Sequence, residues 1–440
     1  MSGRRAVSRT ALVAGVVCAA LLSGPAVAGA AVPGTGGGSG SGSGLGTGLG
    51  TGPGAVAGDG GSGPTTFPGL SQRMTGARDG CRKGNGRTTD RTPWPQAYLR
   101  PDRVWPLTEG AGVTVAVVGS GVDDAAGVLG GRLERAPRQF DAGREADCSG
   151  HGTFAAGLIA AARTPGAGFA GIAPRARVLS VGVTDRSGNT TAELLAKGIR
   201  IAADRGARVI AVVAVAGEGS GALRNAVRYA TGKGAVLVAP VAPDAQTKGV
   251  TAYPAAYPEV VSVAATGPAG LPAGGSADGG APSARVDLVA PGTSVMGTGP
   301  GGKGYFTASG PSYAAAFVAG SAALVSGYRP ELTGAQLAHR LRATASRPGS
   351  RLPDPLMGWG TVDPVAAVTA VLPEERAGAA APARPAVPPA AMPPRPGPSA
   401  LDGAWPVVAG AVAGTAAVAA AGFVLPAGRR RKWAPGRHQA

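Results

Sequence analysis

Two short stretches carry residues that can do chemistry. The first reads Asp147-Cys148-Ser149-Gly150-His151-Gly152-Thr153 and runs straight into the apolar segment Phe154 to Ala162. A histidine between two glycines at the head of such a segment can stand on a first helical turn with its ring facing outward. Imidazole is the side chain whose ordinary pKa suits proton transfer near neutrality. The second stretch reads Gly310-Pro311-Ser312-Tyr313-Ala314-Ala315-Ala316-Phe317-Val318-Ala319-Gly320. Proline is compatible with a first helical turn, so Ser312 is expected at the start of an apolar helix whose dipole favours negative charge at that end. His151 by itself reads equally well as a turn residue. A serine hydroxyl beside an imidazole, however, is the nucleophile and base of covalent hydrolysis.

Together the two stretches resemble the histidine and serine boxes of the subtilisin-like serine proteases, whose triad runs aspartate, histidine, serine along the chain. Within that family the sequence is similar to the mycosins, membrane-anchored subtilases that accompany type VII secretion systems. The resemblance covers roughly Pro93 to Ala370. It is strongest in Val104-Trp105-Pro106-Leu107, in Gly112 to Val118, around His151, in Val286 to Thr293 and around Ser312. It implies an α/β domain, a subtilisin-like parallel sheet with helices on both faces, with His151 and Ser312 as catalytic residues. The sequence itself offers no cofactor or metal motif, and it does not give any calcium site. The resemblance also implies a membrane partner, a type VII secretion membrane complex, and a peptide or protein substrate.

The same resemblance exposes departures. A subtilase needs a carboxylate that holds the histidine in the right tautomer, and a donor for the oxyanion. The carboxylate belongs at the end of the first strand, in a motif of Asp, then Ser or Thr, then Gly; here the chain reads Gly119-Ser120-Gly121-Val122-Asp123. Asp123 and Asp124 are the nearest replacements, but four or five extended residues span more than about 13 Å. Asp147, four residues before His151, is a third. For the oxyanion the family uses a Gly-Asn after a buried strand. Aligned on Val236-Leu237-Val238-Ala239, that place reads Ala242-Pro243-Asp244, which puts Pro243, without an amide proton, at the oxyanion position. Ala211 and Val213 stand where subtilases carry Asn and Ser, Pro311 replaces a threonine, and Ala316 replaces a proline. Loss of the aspartate lowers turnover of a subtilisin-type site by roughly four orders of magnitude, and loss of an oxyanion donor by about a hundred- to a thousandfold. Three readings follow: a pseudoprotease with a structural or regulatory role, an active serine endopeptidase using Ser312 and His151 with a displaced carboxylate, and a peptide-binding module in the old cleft.

The elements that must position these residues are legible as apolar runs and helix signals. Val113 to Val118 reads as a buried parallel strand that ends in Gly119-Ser120-Gly121. Further strands are expected at Val178 to Val183, Val209 to Val215 and Val236 to Ala239, with extensions at Val260 to Ala264 and Val286 to Val289. Helices are expected from Thr190, with Glu193 completing a capping box, to Arg205 before Gly206; from Leu223 to Gly232; and from Ser312 to about Tyr328 before Pro330. Strand and helix in alternation imply a parallel sheet covered on both faces.

Composition sets the organisation of the rest. The 440 residues include 76 glycines and 39 prolines, unevenly spread, and much of that excess lies in two segments outside the core, which leaves one catalytic-sized domain. The formal charge is +17, but the basic residues are scattered arginines with no aromatic-interleaved patch, which argues against nucleic acid. Residues 1–30 carry Arg4, Arg5 and Arg9, the apolar run Ala11 to Leu22, and small-residue cleavage sites at Ala26-Val27-Ala28 and Ala28-Gly29-Ala30, the pattern of a secretory signal peptide. A Gly/Ser-rich linker (31–64) and an N-terminal arm (65–110) follow, with Trp94, Tyr98 and Trp105 expected to clamp the arm onto the domain (111–372). Cys18 lies in the leader. Cys81 and Cys148 remain, and in an exported protein such a pair is most simply a disulfide. The mycosins have a similar bridge and usually a second, whose cysteines are absent here. After the domain come a Pro/Ala-rich linker (373–402), an uncharged segment (403–427) whose centre Val407 to Leu425 is long enough to span a bilayer, and a basic tail (428–440) with Arg429, Arg430, Arg431 and Lys432. By the positive-inside rule that tail is cytoplasmic and the main domain extracellular.

Overall fold

The structure is a computed structural model that describes residues 67–70, 81–139, 147–185, 187–244, 250–272, 285–347, 349, 352–375 and 405–430. The leader, the Gly/Ser-rich linker, most of the Pro/Ala-rich linker and the tail beyond Arg430 lie outside the described residues. In chain order the elements are α1 (Trp94–Leu99), β1 (Thr114–Gly119), β2 (Leu133–Arg135), α2 (His151–Ala160), β3 (Arg177–Gly182), α3 (Ala192–Asp204), β4 (Val209–Val212) and α4 (Gly221–Gly232). They continue with β5 (Val236–Pro240), β6 (Val261–Thr266), β7 (Leu288–Pro291), β8 (Val295–Thr298), β9 (Tyr305–Ala308), α5 (Pro311–Tyr328), α6 (Gly334–Ala343), α7 (Pro364–Thr369) and α8 (Trp405–Arg430).

Seven strands form one sheet in the order β2-β3-β1-β4-β5-β6-β7, and every neighbouring pair is parallel. Strands covered on both faces must be apolar at successive positions, which is why the central ones are continuous Val, Ile, Leu and Ala runs. The alternation along β1 shows both faces at work. Val115 and Val117 join the core that includes Phe154 and Leu158 of α2 and Phe317 of α5, whereas Ala116 and Val118 join the core of Leu195 and Ile199 from α3 with Leu223 and Val227 from α4. The expected subtilisin-like layering is therefore present. α5 is buried from Ser312 to Ser326, so it has no polar stripe and serves as the central helix.

Several elements differ from expectation. The cap of α3 is Thr191, whose extended backbone lets its side chain accept from the Leu194 amide; Thr190 instead donates to the Val183 carbonyl at 2.8 Å. The expected third strand, β4, ends at Val212, three residues early. Short β2, the β8–β9 hairpin, α6 and α7 were not anticipated, although α6 opens with a complete capping box of Thr333 and Gln336.

The arm is fastened as expected in most respects. Cys81 is bonded to Cys148. Trp94 donates to the Ser294 carbonyl at 3.1 Å and Trp105 to that of Ile172 at 3.0 Å. Tyr98 does not clamp: it is 47% exposed and meets Trp94 edge-on. Backbone pairing does the rest, with Leu70 N donating to Thr307 O and Tyr305 N to Arg87 O, so that arm segments extend the β8–β9 ribbon. At the other end of the chain, α8 carries an 18-residue stretch, Ala409–Pro426, of mean hydropathy 1.7 that is long and apolar enough to cross a membrane.

Candidate functional site

The site lies where β1 ends and the first turns of α2 and α5 begin. α2 starts at His151, three residues before the apolar run, because its cap is Gly150 in the left-handed region at φ 82°, which glycine adopts without strain. Asp147, 1% exposed, organises this turn. Its Oδ1 accepts from Gly150 N and Ser149 Oγ, each at 2.9 Å, and its Oδ2 from Thr153 N at 2.9 Å and Thr153 Oγ1 at 2.8 Å. Ser120, one residue past β1, accepts from Gly152 N at 2.8 Å and so ties the strand end to the same turn. At α5, Pro311 takes the first helical position and Ser312 the second, with Ser312 2% exposed. The Tyr313 ring packs 5.2 Å from His151 and 4.7 Å from Phe154.

The carboxylate that reaches the imidazole comes from none of the three anticipated positions. Asp244, in the loop after β5, places Oδ2 2.7 Å from His151 Nε2, while its Oδ1 accepts from the Ser312 amide at 2.9 Å. Both side chains are largely buried. Asp123 instead accepts from the Ala125 and Gly301 amides, and Asp124 from the Leu129 amide. Asp147 is occupied by its own turn. Pro243 also requires a correction: the residue of its loop that meets the Ser312 amide is Asp244, one position on. The close approach demands glycine at 310, since a Cβ there would sit 2.2 Å from Asp244 Oδ1.

Burial opposes a charged His151, but its hydrogen bond to the Asp244 carboxylate, the charge of Asp244 and the charge of Asp147 outweigh burial and raise the ring's pKa above its ordinary value. The Tyr313 hydroxyl is pushed well above the usual phenol range by burial and by the same two carboxylates.

Gly119 and Val213 form a second coupled change. A Cβ at Gly119 would stand 2.6 Å from Val213 Cγ2, so the valine methyl fills space that a longer side chain at 119 would need. Val213 also supplies the acceptor for the nucleophile candidate: Ser312 Oγ donates to its carbonyl at 3.0 Å.

Chemically this arrangement differs from a working triad. There, histidine Nε2 takes the serine proton while a carboxylate holds Nδ1. Here a carboxylate holds Nε2 itself, and the serine proton is directed at a backbone carbonyl. Stabilising an oxyanion requires donors about 2.7–3.1 Å from the developing charge; here the Ser312 amide already faces a negative oxygen, which would repel a second. Among the described residues no group of three or more His, Cys, Asp or Glu side chains is arranged to hold a metal ion.

The sequence profile described as the Subtilase family matches residues 110–360. Thermitase of Thermoactinomyces vulgaris is 37% identical over 237 residues, which span 52% of this chain and 80% of thermitase. Mycosin-4 of Mycobacterium tuberculosis is 34% identical over 350 residues, 68% of this chain and 74% of the mycosin. Among solved structures, MycP1 from Mycobacterium smegmatis aligns with a TM-score of 0.58 at 29% identity over 71% of this chain and 94% of that one. A chain of the periplasmic assembly from the ESX-5 inner membrane complex aligns with a TM-score of 0.61 at 27% identity over 76% and 97%.

Proposed function

This chain belongs to the subtilase family, and from that membership we propose that it is a mycosin-like, membrane-anchored pseudoprotease, a structural or regulatory part of a type VII secretion system. One observation carries the reading: a carboxylate, Asp244, occupies both His151 Nε2 and the Ser312 amide. Those are the groups a peptidase would need for proton transfer and for the oxyanion. His151 and Ser312, which stand at the catalytic positions, are on this reading structural partners of Asp244. The rival reading, an endopeptidase with a displaced carboxylate, requires the acid on the far nitrogen of the ring, and Asp244 is on the near one.

Two further observations support the setting. The domain resembles a chain of the ESX-5 periplasmic assembly, and α8 runs as an apolar helix into Arg429 and Arg430. With the positive-inside rule, that basic end favours a cytoplasmic tail and a domain on the far side of the membrane. A fluorophosphonate probe tests the chemistry. No labelling of Ser312 is expected; stoichiometric labelling that disappears in Ser312→Ala defeats the proposal. For the role in secretion, deletion of the gene is expected to impair export while Ser312→Ala leaves it normal. Equal impairment by both would show that the serine hydroxyl is needed.

A further inference from the structure

The N-terminal arm and the loop after α2 enclose a cavity of about 830 Å³, and none of the residues lining it belongs to the site of His151, Asp244 and Ser312. Its two sides are fixed to each other by hydrogen bonds: Gly168 N donates to Thr89 O at 3.2 Å, and Gln96 Nε2 to Ala170 O at 3.0 Å. A Cβ at Gly168 would stand 2.1 Å from Arg91 O, so the loop lies directly against the arm backbone. The cavity is thus built into the fold, as ligand pockets usually are. Aromatic rings line it: Phe169, 3% exposed, and half-buried Trp105, whose indole N–H is already given to Ile172 O.

Gln96 supplies the observation that points to a ligand. This lining residue is 5% exposed, and with Nε2 engaged its Oε1 has no hydrogen-bond partner among the described residues. A buried acceptor left unpaired carries a desolvation cost that a donor entering the cavity would relieve. The charged lining residues stand instead at the exposed rim. They are Asp90, Arg100, Asp102 and Arg163, the last held by Glu109 at 2.9 Å and lying 4.8 Å over the Trp105 ring.

We propose that this cavity docks a tryptophan side chain presented by a partner protein, with the indole N–H donating to Gln96 Oε1. Among neutral side chains indole is the one that donates without accepting, so it satisfies Gln96 and brings no unpaired group of its own. Its ring packs against Phe169 and Trp105, where aromatic pairs gain more than their buried area supplies, and the volume leaves room for the backbone that carries it. A lysine or arginine would bring its charge to a neutral amide oxygen. The acids that could compensate it are at the exposed rim, where ion pairs contribute little, and Arg100 and Arg163 oppose it there. A mid-chain backbone N–H comes with a carbonyl that needs a donor of its own. A tryptophan filling a preformed pocket is a common anchor of protein interfaces, and this one does not depend on whether Ser312 is reactive.

The test uses the full chain in nanodiscs and three probes: N-acetyltryptophan amide, its 1-methylindole analogue, which lacks the N–H, and N-acetylarginine amide. Wild type is expected to bind the tryptophan amide saturably, with a shift of the Trp105 indole resonance, and the methylated analogue about tenfold more weakly. That comparison needs no variant to fold. Gln96→Met keeps the length of the side chain and removes the acceptor, so it should bind both indoles alike, at the weaker level. Asp102→Asn should bind the tryptophan amide as wild type does, because the ligand carries no charge. Four results overturn the site: no saturable binding of the tryptophan amide, equal binding of the two indoles by wild type, discrimination between them that persists in Gln96→Met, or tighter binding of the arginine amide that Asp102→Asn weakens.

Discussion

Asp147 at the head of α2 and Asp244 near the head of α5 are both largely buried carboxylates, and their partners differ in kind. Asp147 bonds groups no more than six residues away, the amides and hydroxyls of its own turn. Asp244 bonds His151 and Ser312 across the fold. The first carboxylate builds the platform on which His151 stands, and the second occupies the groups that chemistry on that platform would use. On the pseudoprotease reading, the comparison teaches that a subtilase framework can be kept while its reactive centre is converted, since the turn that presents the histidine is built by Asp147 from its own neighbours.

The largest effect expected from breaking this division is a gain. Gly119→Asp, Val213→Ser and Asp244→Asn together supply a triad acid, the space for it and an amide donor. Fluorophosphonate labelling of Ser312 should rise by on the order of four powers of ten over wild type, with each single substitution far below the triple. Labelling by Asp244→Asn alone at the level of the triple would mean that Gly119 and Val213 do not matter.

Next is Asp147→Ala, which strands two backbone amides in a buried turn and should cost roughly 4 kcal/mol. Denaturant midpoints check this, and a loss below about 1 kcal/mol would contradict the capping role. Asp244→Ala should cost about 2 kcal/mol near pH 6. Because the folded-state pKa of His151 is raised, the stabilisation it contributes is fully present below its ordinary value of about 6.5 and is lost as pH rises through the raised one. The stability gap between wild type and Asp244→Asn is accordingly expected to be widest below that pH and to narrow above it; thermal melts across the range would expose a flat gap. The smallest effect sharpens the packing argument. Gly119→Ala should cost about 1–2 kcal/mol through overpacking against Val213, and Val213→Ala in the same chain should recover more than half of that.

Much of this was legible before any coordinates. β1, β3, β5 and β6 lie within about two residues of the apolar runs that announced them, since strands buried on both faces cannot hide their composition. β2 reads Leu-Glu-Arg with two exposed residues, and an edge of that kind carries no apolar signal. The Cys81–Cys148 bridge followed from the cysteine inventory. At the site, the histidine and serine boxes and the glycine at 119 were readable, and the loop read as the oxyanion position contains the residue that meets the Ser312 amide. Asp244 was in view as the neighbour of Pro243, yet nothing in its local sequence announces a bond to a histidine 93 positions earlier.

The sequence by itself determined the layered α/β framework, the chemistry-bearing residue types and the absence of an acid at the end of the first strand, because periodicity and motif spacing are local properties of a chain. Only the tertiary structure decided that Asp244 meets both His151 and Ser312, and that Val213 fills the space beside Gly119. Those contacts join the ends of different strands and helices, and a contact of that range depends on where the sheet brings each end, which no local pattern encodes.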